Sequence, residues 1–317
     1  MLVEIPVAAA ASPPMAVSRR WRPRRAIAVA APYLYLMPAL AGLAIWIYRP
    51  LVQTFQYSFE SWNLLPTSTP QFVGFKNYVH VVSLPQLGQA LGTTGLYLSA
   101  MIVCGVIVPV IIASLVQGVG PRARSTYQAV IFVPVLVAPV AAAAVWEFLL
   151  APNGGVVTQL ASLVGAGPTN WFTEPGPARL SIMMMAGWKV LGVSVLIVGA
   201  GLAAIDTQYY EAASIDGASR FQAFRRLTLP LLSPTVLFLF ITSVLLSSQI
   251  IFPLISSTTM GGPAGATTDI YYLLYTYGFT SFDVGTASAA AVLFFLAFGV
   301  VAVFCVRLLD RWSFHDN

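Results

Sequence analysis

Six long apolar runs, separated by polar intervals, set the organisation of this chain. They fall at about residues 26–48, 90–116, 127–149, 180–205, 231–255 and 284–306. Each exceeds the roughly 20 apolar residues that a helix rising 1.5 Å per residue needs to cross the hydrocarbon core of a bilayer. The pattern predicts an all-α, polytopic membrane protein of six transmembrane helices. Pro109 inside the second run predicts a kink, which bundles tolerate when neighbours satisfy the freed carbonyl. Pro253 in the fifth predicts a broken helix exposing carbonyls to a water-filled cavity.

The polar intervals differ in character. Residues 1–25 form a basic tail with Arg19, Arg20, Arg22, Arg24 and Arg25. The basic group follows the small-residue stretch, the reverse of a secretory signal. Met15 is a candidate initiator, an expectation that a peptide upstream of it in mass spectrometry would remove. Residues 49–89 read as a mixed loop and 152–179 as a loop rich in Gly and Pro. The interval 206–230 has helical character. Gln208 to Ile215 carries no breaker, and Asp206 or Thr207 can cap its start. Asp216-Gly217 reads as a turn, since Gly accepts the positive φ that ends a helix. Ser219 can cap a second short helix through Arg226, limited by Pro230. The prediction is a helix–turn–helix elbow outside the bilayer. Residues 307–317 make a short polar tail.

Composition and charge then fix class and orientation. The 317 residues are 58% hydrophobic and 9% charged, against about 25% charged in soluble domains. Twelve of the sixteen Lys and Arg fall in the N-terminal tail, the interval after the second run, the elbow and the C-terminal tail. The other four are Arg49, Lys76, Arg179 and Lys189. By the positive-inside rule both termini and the elbow are cytoplasmic. The net charge of +5 therefore belongs to topology and not to nucleic-acid binding. Cys104 and Cys305 lie inside apolar runs and read as small packing residues. His80 and His315 lack partners at ligand spacing, so no metal site is expected.

The elbow also carries a resemblance. Glu211-Ala212-Ala213, Asp216-Gly217-Ala218, Phe224, Leu227 and Leu229-Pro230 resemble the EAA signature of permease subunits of binding-protein-dependent ABC importers, with Leu227 where Ile is usual. Phe72-Val73-Gly74-Phe75-Lys76-Asn77-Tyr78, Trp146 with Asn153-Gly154-Gly155, and Gly261-Gly262-Pro263 with Thr267-Thr268 resemble stretches of the carbohydrate subfamily. The resemblance covers nearly the whole chain from about residue 30. It implies a type I ABC importer permease (MetI-like) bundle in a bacterial plasma membrane. It further implies a second homologous permease subunit, an ABC ATPase homodimer that uses ATP and Mg, and an extracytoplasmic solute-binding lipoprotein. The solute would be a sugar, polyol, glycerol 3-phosphate or its diesters.

Residue chemistry agrees with such a division of labour. The chain has no G-x-x-x-x-G-K-[ST] phosphate loop and no nucleophile motif, so it is expected to bind no cofactor and to be no enzyme. Glu211, Ala212, Ala213, Asp216, Gly217 and Ala218 are the expected ATPase-coupling residues. Small side chains there allow close approach, and Glu211 can pair with a base on the ATPase or with Arg225 or Arg226. Asp216 organises the turn. Glu147 and Lys189 are the two ionisable residues within the runs, and a charge at mid-bilayer costs about 2.5–3.5 kcal/mol on insertion scales. Lys189 lies about 25 Å from the cytoplasmic end of its helix, so both read either as interfacial anchors or as the edge of an outward cavity. Ser248, Gln249 and Phe252 are the expected solute-path residues, since a Gln in hydrocarbon turns toward the bundle interior. The alternative reading is inter-helix glue. Trp146, Trp171 and Trp188 read as belt residues. A stand-alone secondary carrier or channel is the alternative function; the lack of acidic or His relays at mid-membrane argues against it.

Overall fold

The computed structural model of the protein describes residues 23–65, 67–117, 119–163 and 169–312. Most of the basic tail, Met15 included, lies outside the described residues. The chain divides into two compact units, residues 1–53 and 54–317. The first contains α1 (Pro23–Leu43), a π-helical turn (Ala44–Tyr48) and the beginning of α2 (Arg49–Tyr57). The second opens with the end of α2 and two short antiparallel strands, β1 (Glu60–Ser61) and β2 (Gln71–Phe72). Then come α3 (Lys76–Ser83), α4 (Pro85–Ile102), a π-turn (Val103–Ile107), α5 (Val108–Gln117), α6 (Pro121–Leu136), α7 (Pro139–Leu149) and α8 (Val156–Leu163). The long α9 (Pro175–Ala203) leads to α10 (Thr207–Ile215), α11 (Arg220–Ala223), a π-turn (Phe224–Thr228) and α12 (Leu229–Leu231). The chain finishes with α13 (Ser233–Ser257), α14 (Ile270–Tyr275), a π-turn (Thr276–Thr280) and α15 (Val284–Trp312).

Five helical runs among the described residues are long and apolar enough to span a membrane, and six if the α6–α7 pair counts as one. The third apolar run, 127–149, is therefore not one continuous helix: the pair bends by 103° at residues 137–138. Pro139 has no N–H to continue the ladder, and the residue before a proline is pushed out of the α region. Ala138 accordingly sits at φ −59°, ψ 144°. The mixed loop expected over 49–89 is largely helical, and α15 extends to Trp312 where a polar tail was expected.

Prolines elsewhere leave the helical assignment continuous. Pro109 and Pro230 each stand one residue beyond the residue that closes a π-turn, with Val108 N–H reaching the Val103 carbonyl and Leu229 N–H reaching the Phe224 carbonyl. The wider turn moves the preceding carbonyls away from the proline ring, so the helix continues where Pro230 was expected to end it. Pro253 lies inside α13, which runs unbroken to Ser257; the expected break does not occur.

α9 is the centre of the bundle. It carries buried residues on every side, from Ala178 to Leu202, and packs on α4, α5, α6 and α13. Lipid tails are as apolar as Leu, so helices in a bilayer associate through close packing and hydrogen bonds. Gly192 brings α9 against the backbone of α6: an added methyl would strike the Ile131 carbonyl oxygen. One packed cluster joins Tyr97, Met101, Met185 and Leu254; the other joins Val106, Val198, Leu232 and Leu239. Near β1, the Asn77 amide donates to the carbonyls of Ser58 (3.0 Å) and Glu60 (2.9 Å). Tyr78 shares a 2.7 Å hydrogen bond with Ser58. The Asn-Tyr of that sequence stretch thus fastens the α2–β1 corner.

Candidate functional site

Two regions concentrate the expected functional residues. The first is the elbow between α9 and α13. Asp206 caps α10, its carboxylate accepting from Gln208 N–H at 3.0 Å. The helix ends at Asp216, and Gly217 takes φ +73°. Ala218 N–H reaches the Ala213 carbonyl (2.9 Å) and Gly217 N–H the Ser214 carbonyl (3.1 Å), the paired bonds of a Schellman ending. Ser219 then opens α11 with a reciprocal capping box: its N–H donates to Gln222 Oε1 at 2.8 Å, and Gln222 N–H to Ser219 Oγ at 3.3 Å. A 3.0 Å hydrogen bond between Tyr210 and Thr228 ties the two limbs together.

The elbow's outer surface is open. Glu211, Ala212, Asp216 and Gly217 are exposed, and Ala213 and Ala218 half-buried. Glu211 forms no ion pair with Arg225 or Arg226, and a methyl added at Gly217 would meet nothing within 4 Å. Sequence reasoning overlooked two neighbours. Ile215 is 85% exposed and Phe221 71%, large apolar groups left bare on a polar segment. The signal lay in the sequence, because an Ile and a Phe interrupt an otherwise small and polar stretch.

The second region lies between α13, α14 and α15. Ser248, Gln249 and Phe252 line one cavity of about 770 Å³, with Tyr271, Tyr275 and Phe279. That volume falls within the roughly 300–1,000 Å³ of small-molecule sites. The aromatic wall is continuous: the Phe252 and Tyr275 rings are 5.4 Å apart, and Tyr275 stacks on Phe279 at 5.4 Å. A second cavity of about 540 Å³ lies on the other side of α14, lined by Gln86, Gln89, Thr268, Tyr272 and Thr276. Its wall is the Gly261–Thr268 loop, where Gly261 has φ +81°. Thr267 Oγ1 donates to the Gly262 carbonyl at 2.8 Å, and Arg179 Nε donates to the Ala266 carbonyl at 2.7 Å. Asp269 ends the loop by capping α14, accepting from Tyr272 N–H at 2.8 Å. Burial lifts its carboxyl to about 6, against the pull of that same backbone hydrogen bond.

Lys189 and Glu147 line neither of these cavities, and for Lys189 its burial corrects the reading as a cavity edge. Lys189 is 7% exposed. Its ammonium donates to the carbonyls of Pro134, at 3.1 Å, and Val137. The α6–α7 break leaves the Val137 carbonyl without a helical partner and the Pro134 carbonyl with a long 3.4 Å bond from Val137 N–H, and a cation at a helix C-terminus satisfies them. Lys189 is therefore not an interfacial anchor either. Glu147 is exposed on α7 and lines neither cavity. Trp146 and Trp188 pack edge to face at 6.0 Å, a contact within the bundle.

Residues 105–315, which include the elbow and most of both cavity walls, match the family described as binding-protein-dependent transport system inner membrane component. The chain belongs to this family. The permease is 31% identical over 280 residues to the sn-glycerol-3-phosphate transport system permease protein UgpA of Yersinia pestis bv. Antiqua (strain Antiqua), covering 88% of this chain and 94% of the relative. It is 30% identical over 280 residues to UgpA of Pectobacterium atrosepticum, with the same coverage. In solved structures the fold matches a chain of a bacterial ABC transporter involved in the import of the acidic polysaccharide alginate. The TM-score is 0.80 at 23% identity, covering 92% of this permease and 100% of that chain. A second match, TM-score 0.76 at 23% identity over 93% of this permease and 97% of that chain, is the alginate transporter in complex with a periplasmic protein bound to alginate pentasaccharide. The all-α importer-permease fold is thereby shown. A permease of a binding-protein-dependent system is a transporter component and not an enzyme, and it does not work as a stand-alone carrier.

Proposed function

We propose that this permease forms half of the translocation path of an ATP-driven importer for a sugar, polyol or glycerophosphate. A second homologous permease supplies the other half. A separate ATPase pair binds ATP and Mg, and an extracytoplasmic binding protein delivers the solute. Both termini and the elbow face the cytoplasm, as the distribution of Lys and Arg favours. The relatives' glycerol-3-phosphate and alginate systems support the solute class, and the complex with a periplasmic protein supports the delivery partner.

The observation that carries the coupling role is the elbow's bare face. Apolar groups gathered into a patch on a polar surface mark a protein contact, whereas single ones do not. Here Ile215 and Phe221 flank the small residues Ala212, Ala213 and Gly217. Seated in a cleft of the ATPase, the elbow transmits nucleotide-driven movement through Leu232 and Leu202 into α13 and α9, which pack in one cluster. The test is Glu211→Lys together with cross-linkers at Ala213 and Ser214. The charge reversal should abolish ATP-dependent uptake with the chain still in the membrane, and the cross-linkers should capture an ATP-hydrolysing subunit. Normal uptake by the variant and no such capture would defeat the assignment.

A further inference from the structure

We infer that the solute crossing this permease is uncharged, a neutral glycoside or polyol, unlike the anions for which the relatives described above are named. The inference rests on the importer reading and narrows it. Among the described residues, neither cavity beside α14 is lined by a Lys, Arg, His, Asp or Glu. An anion leaving water for such a site loses several kcal/mol of hydration unless fixed positive groups replace it, on the order of the cost of any buried unpaired ion.

Of the groups that could supply positive potential, three are already engaged. Lys189 is turned to the carbonyls of Pro134 and Val137 at the helix break. Arg179 is held by the Ala266 carbonyl behind the loop. The N-terminus of α14 is capped by the Asp269 carboxylate, which opposes an anion there. What the cavities do offer suits hydroxyls and C–H faces. Gln249 makes no hydrogen bond within the described residues, and its amide lines the larger cavity beside Phe252 and Tyr275. Gln86 and Gln89 line the other. Aromatic faces carry negative quadrupole potential, which repels phosphate or carboxylate above the ring and attracts the polarised C–H groups of a sugar.

The test compares the native host with a strain lacking this chain. Both are given an equimolar labelled mixture of neutral disaccharides, alditols, glycerol 3-phosphate, glycerophosphodiesters and uronate oligosaccharides. Uptake is followed with and without ATP depletion. Every compound whose ATP-dependent uptake vanishes with the deletion should be uncharged. Phe252→Ala and Gln249→Ala, each present in the membrane at the wild-type level, should lower that uptake tenfold or more. Loss of glycerol 3-phosphate, diester or uronate uptake would overturn the neutral-solute proposal and leave the importer reading standing. A profile unchanged by the deletion, or an affected uptake indifferent to ATP depletion, would overturn the importer reading and this proposal with it. Full uptake in both cavity variants would remove the cavity from the path.

Discussion

Gly217 offers a way to separate backbone strain from partner contact. Its φ of +73° lies in the left-handed region. A side chain there costs about 1–2 kcal/mol for an ordinary residue. Asn, several-fold enriched at positive φ, recovers roughly 1 kcal/mol of that. Inside this chain a methyl at Gly217 would touch nothing within 4 Å. Strain alone therefore ranks the variants Gly, then Asn, then Ala. If the elbow seats in a close-fitting cleft, size counts instead. Overfilling a packed contact costs about 1–3 kcal/mol, so the larger Asn falls below Ala by roughly five- to a hundredfold in ATPase association. The assay is the amount of ATPase subunit retained when tagged Gly217→Ala and Gly217→Asn chains are purified from membranes, normalised to chain recovered. Retention by the Asn variant equal to or above that of the Ala variant would refute the close-fit argument.

Two further outcomes follow from buried polar groups. Lys189→Met leaves the Val137 carbonyl without its donor and Pro134 with only a 3.4 Å contact from Val137 N–H. Orphaned acceptors cost about 1–3 kcal/mol each, partly offset by removing a buried charge, so thermal unfolding in detergent should shift down by several degrees; an unchanged or higher midpoint would contradict the capping role. Asp269, its carboxyl raised to about 6, binds a proton more tightly folded than unfolded. The fold should therefore gain stability as pH falls from about 7 toward 4, through the interval between the folded and unfolded values. Asp269→Asn, which keeps an acceptor for Tyr272 N–H, should flatten that slope in thermal unfolding measured across this range; equal slopes in both proteins would exclude Asp269 as its source.

The elbow's caps and turn were legible, because their determinants are local. Asp206, Ser219 and Gly217 act within four residues of themselves, through caps and a positive φ that the residue types announce, whereas Gln222's half of the capping box, the bare Ile215 and Phe221, and the helix running on past Pro230 were not read. The apolar runs were legible for the same reason, since hydrocarbon thickness sets a length that can be counted along the chain. What lay beyond reach depended on partners distant in sequence. Pro109 was expected to kink its helix and Pro230 to end one, yet each follows a widened turn through which the helix continues. Lys189 is the sharpest case. Its residue type and position suggested a path or an interface, but two carbonyls freed more than fifty residues earlier claim its ammonium. The cavities, too, join residues from opposite ends of the second unit, so their lack of charge is a property of assembly. Sequence alone thus located the apolar runs and the elbow's caps, whose energetics are settled within a helical turn or by the bilayer. Tertiary structure decided which polar groups were satisfied and which remained free to meet a solute, because a hydrogen bond in a membrane goes to whichever partner the fold brings within 3 Å.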